Sequence, residues 1–322
     1  MDKLCRTIAV AAFCAFGFAQ TAEQPVTLII EIDNALTYRG DVTDSTKLAR
    51  DPGVTTPLPA RAFQVTYNVG DIVGINGKSA KGLMSALSGT VLARVNPQSG
   101  QMIADFDGSG PFLTHWQILA PDGTWLGSMW GAGGVPAPGQ GHSIMSGNGV
   151  FLGVEGEYRI LELITASRIA SVTEDPANRR INGGQKLRFI FYLYPKYRPA
   201  VDVSPTGPAV FHGDFSPVTA ASPARAGEVL IVRTRNLGPT RPELLPPGTR
   251  PFKADPVEEV NSPVGVTVGG KDAEVINKIG WPGTHDLYRV DFRVPAGISP
   301  GMVTIQLTSA WIPGPEVKIP VQ

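Results

Sequence analysis

Apolar and polar residues alternate along much of the chain with the period of a strand. In Val26–Asn34 (VTLIIEIDN), Val26, Leu28, Ile30 and Ile32 fall on one face, and Thr27, Ile29, Glu31 and Asp33 on the other. Further strands are predicted at Phe63–Ile75, Leu87–Val95, Phe112–Leu119, Thr124–Trp130, Gly156–Thr173 and Leu187–Tyr194. Between them lie the turn signals Asn76-Gly77, Asn96-Pro97, Pro121-Asp122-Gly123 and Asn182-Gly183. The one helix expected in this half is short, Ser45–Arg50, with Asp44 as its cap. Seven or eight long strands joined by hairpins predict an antiparallel barrel, which closes its own edges.

The second half alternates more cleanly. Tyr288, Val290, Phe292 and Val294 interleave with Arg289, Asp291 and Arg293, and Val303, Ile305 and Leu307 with Thr304, Gln306 and Thr308. Val317, Ile319 and Val321 repeat the pattern at the C-terminus. One buried face per short strand predicts a β-sandwich. The expected architecture is therefore all-β, a barrel of about eight strands followed by an immunoglobulin-like sandwich.

Proline density divides the two. Of 29 prolines, 19 fall in the last 128 of 322 positions. The segment after Tyr197 lacks a helical period and reads as a linker. The expected boundaries are 24–197 for the barrel, 198–207 for the linker and 208–322 for the sandwich. Between Asn236 and Ser262 a stretch with six prolines reads as a long irregular loop, a kind of segment that is often functional.

At the N-terminus, Lys3 and Arg6 precede an apolar run from Ile8 to Ala19, too short for a membrane span. This reads as a signal peptide over residues 1–19, cleaved near Ala19, and predicts an extracellular or periplasmic protein. Both cysteines, Cys5 and Cys14, lie in it, so the exported chain is expected to have no disulfide and no thiolate chemistry. Lys plus Arg and Asp plus Glu balance at 28 each, which argues against a nucleic-acid partner.

The motifs are sparse. Gly77-Lys78-Ser79 resembles the end of a phosphate loop, but Ile72 stands where a glycine is required, and a hairpin turn is the better reading. Gly147, Gly149, Gly153 and Gly156 have the wrong spacing for a dinucleotide loop and are read as structural glycines at a bend. Asp105-Phe106-Asp107-Gly108 reads as a solvated turn, with a weak calcium site as the alternative. His115, His142, His212 and His285 have no partners at metal-ligand spacing, and neither a metal nor a cofactor is expected. Trp116, Trp125 and Trp130 are stacking candidates for a carbohydrate or another ring-bearing ligand, weighed against ordinary core aromatics. If a lumen is open, Glu31, Asp33, Tyr67, His115, Glu162, Tyr192 and Tyr194 are the polar residues expected to serve it, with Glu31 and Asp33 as an acid–base pair.

Two resemblances extend this reading. Phe211–Leu230 (FHGDFSPVTAASPARAGEVL), Asn236–Pro242, Pro263–Val275, Leu287–Gly301 and the closing VKIPVQ closely resemble a functionally uncharacterised C-terminal domain of secreted bacterial proteins, abundant in acidobacteria. That resemblance implies an immunoglobulin-type sandwich with no catalytic residues to carry over. Gly147–Gly156 (GNGVFLGVEG) is similar to the turn-and-strand motif of dirigent and allene oxide cyclase-like barrels. That family implies an eight-stranded barrel whose lumen takes an apolar small molecule without a cofactor.

Two functions stand. One is a secreted, non-enzymatic binding or surface-interaction protein, with an apolar small molecule, a carbohydrate or a surface protein as partner. The alternative is a cofactor-free barrel cyclase or isomerase, which needs an open lumen.

Overall fold

The computed structural model describes residues 24–39, 63–91, 111–134, 141–163, 169–171 and 174–322. The signal segment with Cys5 and Cys14, the Ser45–Arg50 helix, the Asn96-Pro97 turn, the Asp105–Gly108 turn and the Glu162 side chain lie outside the described residues.

The N-terminal half is built of β1 (Val26–Arg39), β2 (Phe63–Ile75), β3 (Lys78–Val91), β4 (Pro111–Leu119), β5 (Trp125–Gly134), β6 (His142–Gly149), β7 (Val154–Leu163), β8 (Ile169–Ser171) and β9 (Gln185–Pro195). Neighbours pair antiparallel from β1 through β7, β7 pairs with β9, and β9 returns to β1, so eight strands close a barrel. The short β8 adds in parallel to the end of β1. The β2–β3 hairpin turns at Asn76-Gly77, both at positive φ (50° and 73°), the backbone of a two-residue primed turn. The phosphate-loop resemblance of Gly77-Lys78-Ser79 is therefore a hairpin.

Closure follows from the period-2 pattern. Leu28, Ile30 and Ile32 of β1 point inward and are almost fully buried, as are Ile72, Met84, Ile118, Met129, Phe189, Phe191 and Leu193. Trp116 on β4 lies at the centre with no exposure. Three rings meet it edge-on: Tyr158 at 4.5 Å, Phe191 at 4.9 Å and Phe189 at 5.8 Å between centroids. These are the separations and edge-to-face angles that aromatic quadrupoles prefer.

β1 runs on to Arg39, the expected strand Gly156–Thr173 is the two strands β7 and β8, and two further strands differ from the sequence expectation. β3 starts at Lys78 instead of Leu87, and β6, which was not expected, spans His142–Gly149. Both are rich in small residues, whose lack of bulk hides the alternation but lets strands approach closely. A Cβ on Gly82 would lie 2.2 Å from the Gln117 carbonyl oxygen across the β3–β4 pair.

On the outer wall, Asp71 of β2 anchors a 3-10 turn, Pro176–Arg180. It accepts from Arg179 (2.5 Å), bidentately from Arg180 (2.7 and 2.8 Å) and from the Asn34 side chain (3.1 Å). Burial opposes the Asp71 charge, but these bonds outweigh it and hold its pKa below the ordinary value.

The C-terminal half comprises β10 (Ala200–Val201), β11 (Val203–Ser204), β12 (Gly207–Pro208), β13 (Val210–Phe211), β14 (Val229–Arg235), β15 (Val264–Val268), β16 (Lys271–Gly280), β17 (Tyr288–Arg293), β18 (Gly301–Ser309), β19 (Ile312–Pro313) and β20 (Val317–Val321). One layer is β10 and β13 on β14, then β17 and β16; the other is β15, β18, β19 and β20. β16 ties them together, its start pairing with β15 and the remainder with β17. Tyr288, Val290 and Phe292 from one layer and Val266, Val268, Ile305, Leu307 and Ile319 from the other fill the space between them. The stretch expected as a linker, 198–207, carries β10, which pairs with Thr234 and Arg235, and one arm of the β11–β12 hairpin.

The two halves are joined by packing as well as by chain. Ile312, in the β18–β19 hairpin, belongs to the barrel's core, with Trp311 packed against it. The Asn261 side-chain amide donates to the Trp125 carbonyl (2.8 Å), and Arg241 bridges Asp122 (2.8 Å) and the Asn261 oxygen (2.7 Å). Thr124 and Arg241 hydrogen bonds draw the Asp122 pKa down to about 2.

Trp116→Ala removes the ring on which the interior packs and is expected to cost the barrel about 3–5 kcal/mol in denaturant unfolding. Trp130→Ala, on the outer face, is expected to cost less than about 1 kcal/mol.

Candidate ligand site at the barrel–sandwich junction

Among the described residues, the barrel interior around Trp116 is packed with side chains. Among the polar groups inside it, Thr114 bonds with the Tyr158 hydroxyl (3.0 Å) and Thr66 with Ser88 (2.5 Å), whereas Trp116 Nε1 has no hydrogen-bond partner. Burial pushes the Tyr158 hydroxyl up to about 12. His142 stacks on the Tyr158 ring at 4.9 Å, burial lowers its pKa, and its Nδ1 has no hydrogen-bond partner. Sequence reasoning did not name His142 as an interior residue because it sits in the unexpected β6, and it passed over Tyr158 although that residue lies in an expected strand.

The residues expected to serve an open lumen lie elsewhere. Glu31 and Asp33 occupy the outer face of β1, ion-paired with Arg188 (3.2 Å) and Lys186 (3.6 Å). This follows from the alternation itself: with Leu28, Ile30 and Ile32 inside, Glu31 and Asp33 must be outside. Tyr67 and Tyr194 are exposed, and Tyr192 lines a shallow outer depression beside the Glu157–Arg159 ion pair. Among the described residues, nothing is brought together there that resembles an acid–base pair.

The three tryptophans do not form one platform. Trp116 is the centre of the core, whereas Trp130 is 41% exposed on the outer wall and stacks on His115 at 4.0 Å and 11°. Trp125, half-buried, begins β5, and its carbonyl receives the Asn261 amide of the sandwich. Successive positions on β4 alternate inside and outside, so His115 and Trp116 necessarily part.

A cavity of about 250 Å³ opens between the β6–β7 corner (Gly149, Val150, Leu152), the segment after β9 (Tyr197, Pro199) and the sandwich (Asn236, Leu237, Gly238, Pro247, Gly248, Asp286, Ser309, Ile312). The glycine-rich corner shapes the near wall. Gly149 and Gly153 have φ of +60° and +73°, and a Cβ on Gly147 would lie 2.2 Å from the Phe151 carbonyl oxygen. This corner turns so tightly that Phe151 is driven into the barrel core while Val150 and Leu152 face the cavity. The proline-rich segment expected to be functional supplies the opposite wall, as an irregular but internally bonded loop.

A second constellation has catalytic-looking spacing: Glu228 Oε1 lies 2.5 Å from His212 Nδ1, and Ser222 Oγ 3.2 Å from His212 Nε2. Nε2 also sits 3.1 Å from the Ser222 carbonyl oxygen, which can only accept. An imidazole donating from both nitrogens is an imidazolium clip, not a free base. Burial works against its charge, but Glu228, the Ser222 carbonyl and Asp214 outweigh it, and the His212 pKa is raised above 6.5. The clip ties the end of β13 to the loop before β14. Among the described residues, no group of three His, Cys, Asp or Glu is placed to hold a metal.

No protein-family model matches the chain, and no curated protein matches it. Among solved structures it is similar to the N-terminal domain of the Streptococcus gordonii adhesin Sgo0707, at 10% identity over 94% of this chain and 93% of that one, with a TM-score of 0.18. A superposition of that quality carries no argument about either fold or function.

Because the folded His212 pKa is raised, its contribution to stability is full below the unfolded value and is lost as pH rises through the folded one. The stability gap between the parent and His212→Ala is therefore expected to be roughly 1–2 kcal/mol at about pH 5.5 and to narrow by about pH 9. Thermal denaturation across that range checks the sign.

Proposed function

We propose that this chain is an exported, non-enzymatic binding protein in which the barrel is a rigid scaffold and the junction cavity is the ligand site. The observation that carries the reading is the packing of Trp116 with Tyr158, Phe189 and Phe191. It occupies the volume in which a cyclase or isomerase of this architecture would hold its substrate. Glu31 and Asp33, the carboxylates such chemistry would use, face solvent and pair with basic residues.

The cavity has the composition of a binding site: apolar walls from Val150, Leu152, Leu237 and Ile312 with few polar groups. Its parts come from both halves of the chain, held in register by Asn261, Arg241 and Ile312. Pre-positioned walls bind without the cost of ordering them. The compartment rests on the N-terminal segment, and the docking role of the sandwich on its resemblance to a domain of secreted bacterial proteins.

Titration of the protein with benzyl alcohol, a neutral apolar probe, followed by methyl NMR tests the location. Shifts at Leu152, Leu237 and Ile312 with Met84 and Ile118 unmoved are expected. Shifts at Met84 and Ile118 would place the ligand in the barrel and overturn the proposal. Leu152→Trp, which fills the mouth, is expected to weaken the probe by about tenfold or more.

A further inference from the structure

The cavity contains one carboxylate, and its surroundings specify what it meets. Asp286 is in the segment leading into β17, half-buried beside Asn236 and Gly248. Its carboxyl accepts from the Asn236 backbone N–H, but Oδ1 is buried and has no hydrogen-bond partner. Arg235 acts on it through space and makes its own ion pair with Asp202, at 3.6 Å.

Two other polar side chains of the lining are engaged within the protein. The Asn236 amide donates to the Arg198 carbonyl (3.0 Å), and the Ser309 hydroxyl donates to the Leu237 carbonyl (3.0 Å). The nearby Tyr288 hydroxyl donates to the Gly238 carbonyl (2.7 Å). Among the described residues, then, the lining holds one carboxylate, Asp286, amid aliphatic surface, and its enclosed Oδ1 has no hydrogen-bond partner. A buried acceptor without a donor is costly, and a charged donor satisfies it best.

We propose that the cavity selects a small protonated amine carried on an apolar body. The ammonium pairs with the Asp286 carboxylate, and the body packs on Leu152, Leu237 and Ile312. At about 250 Å³ the space is below the usual range for drug-sized ligands, which limits the body to about one ring or one side chain. The amine has two sources, a free small molecule or the N-terminus of a peptide. The inference rests on the junction cavity being the binding site.

The test compares benzylamine with benzyl alcohol, equal in shape but differing in charge, by calorimetric titration of the whole protein near neutral pH. Benzylamine is expected to bind about tenfold or more tightly than the alcohol. Asp286→Asn, whose fold is checked by its melting temperature, is expected to bring the two probes to equal affinity. Leu152→Trp is expected to weaken both. Equal affinities in the parent, or a preference that survives Asp286→Asn, would overturn the amine inference while leaving the cavity as the binding site. Failure of both probes to bind would overturn both. A short peptide beginning with phenylalanine, set against its N-acetylated form, separates the sources. Binding lost on acetylation points to a chain terminus, and binding of benzylamine alone points to a free amine.

Discussion

The structure depends on one buried ring. Trp116 projects from β4 into the barrel axis and receives the edges of Tyr158, Phe189 and Phe191 from β7 and β9, strands across the barrel. A closed sheet of eight strands leaves an interior that side chains can just fill, and large aromatic residues fill it with few contributors. Closure removes the sheet edges, and the aromatic packing removes the void that closure would otherwise leave. An interior in that condition is a scaffold, because admitting a ligand would mean displacing rings that stabilise the fold by several kcal/mol each.

Recognition is thereby moved to the margin. The tight corner at Gly147–Gly156 sends Phe151 inward and leaves Val150 and Leu152 on the outside, where the sandwich comes to meet them. The β18–β19 hairpin inserts Ile312 into the barrel core, so the sandwich closes one end of the barrel instead of trailing from it. Arg241, Asn261 and Asp122 add directional bonds that a hydrophobic contact alone lacks. A cleft remains beside the contact, and the carboxylate in its lining belongs to Asp286. The His212 clip shows the contrary case: a set of side chains with the spacing of a triad whose valences are all taken, and which serves the loop it ties down.

Much of the architecture was legible in the amino-acid order. Strand period, turn signals and proline density specified an all-β chain with a barrel followed by a sandwich, because alternation is a local property that burial on one face imposes on every strand. The alternation of β1 also fixed which of its residues would enter the lumen; it followed that Glu31 and Asp33 could not, though as paired acids they invited the opposite reading. β6 and the start of β3 escaped notice because glycine, serine and alanine carry no hydrophobic signal, and their role is to let backbones approach.

What the sequence determined by itself was therefore most of the strands and the face each of those buries. Tertiary structure alone decided whether the lumen was open or full, since that depends on how rings from β4, β7 and β9 meet after closure. It alone assembled the junction cavity, whose walls come from residues 149, 150, 152, 197, 199, 236–238, 247, 248, 286, 309 and 312. No local pattern relates Leu152 to Asp286; they become neighbours only when two independently buried cores are packed end to end.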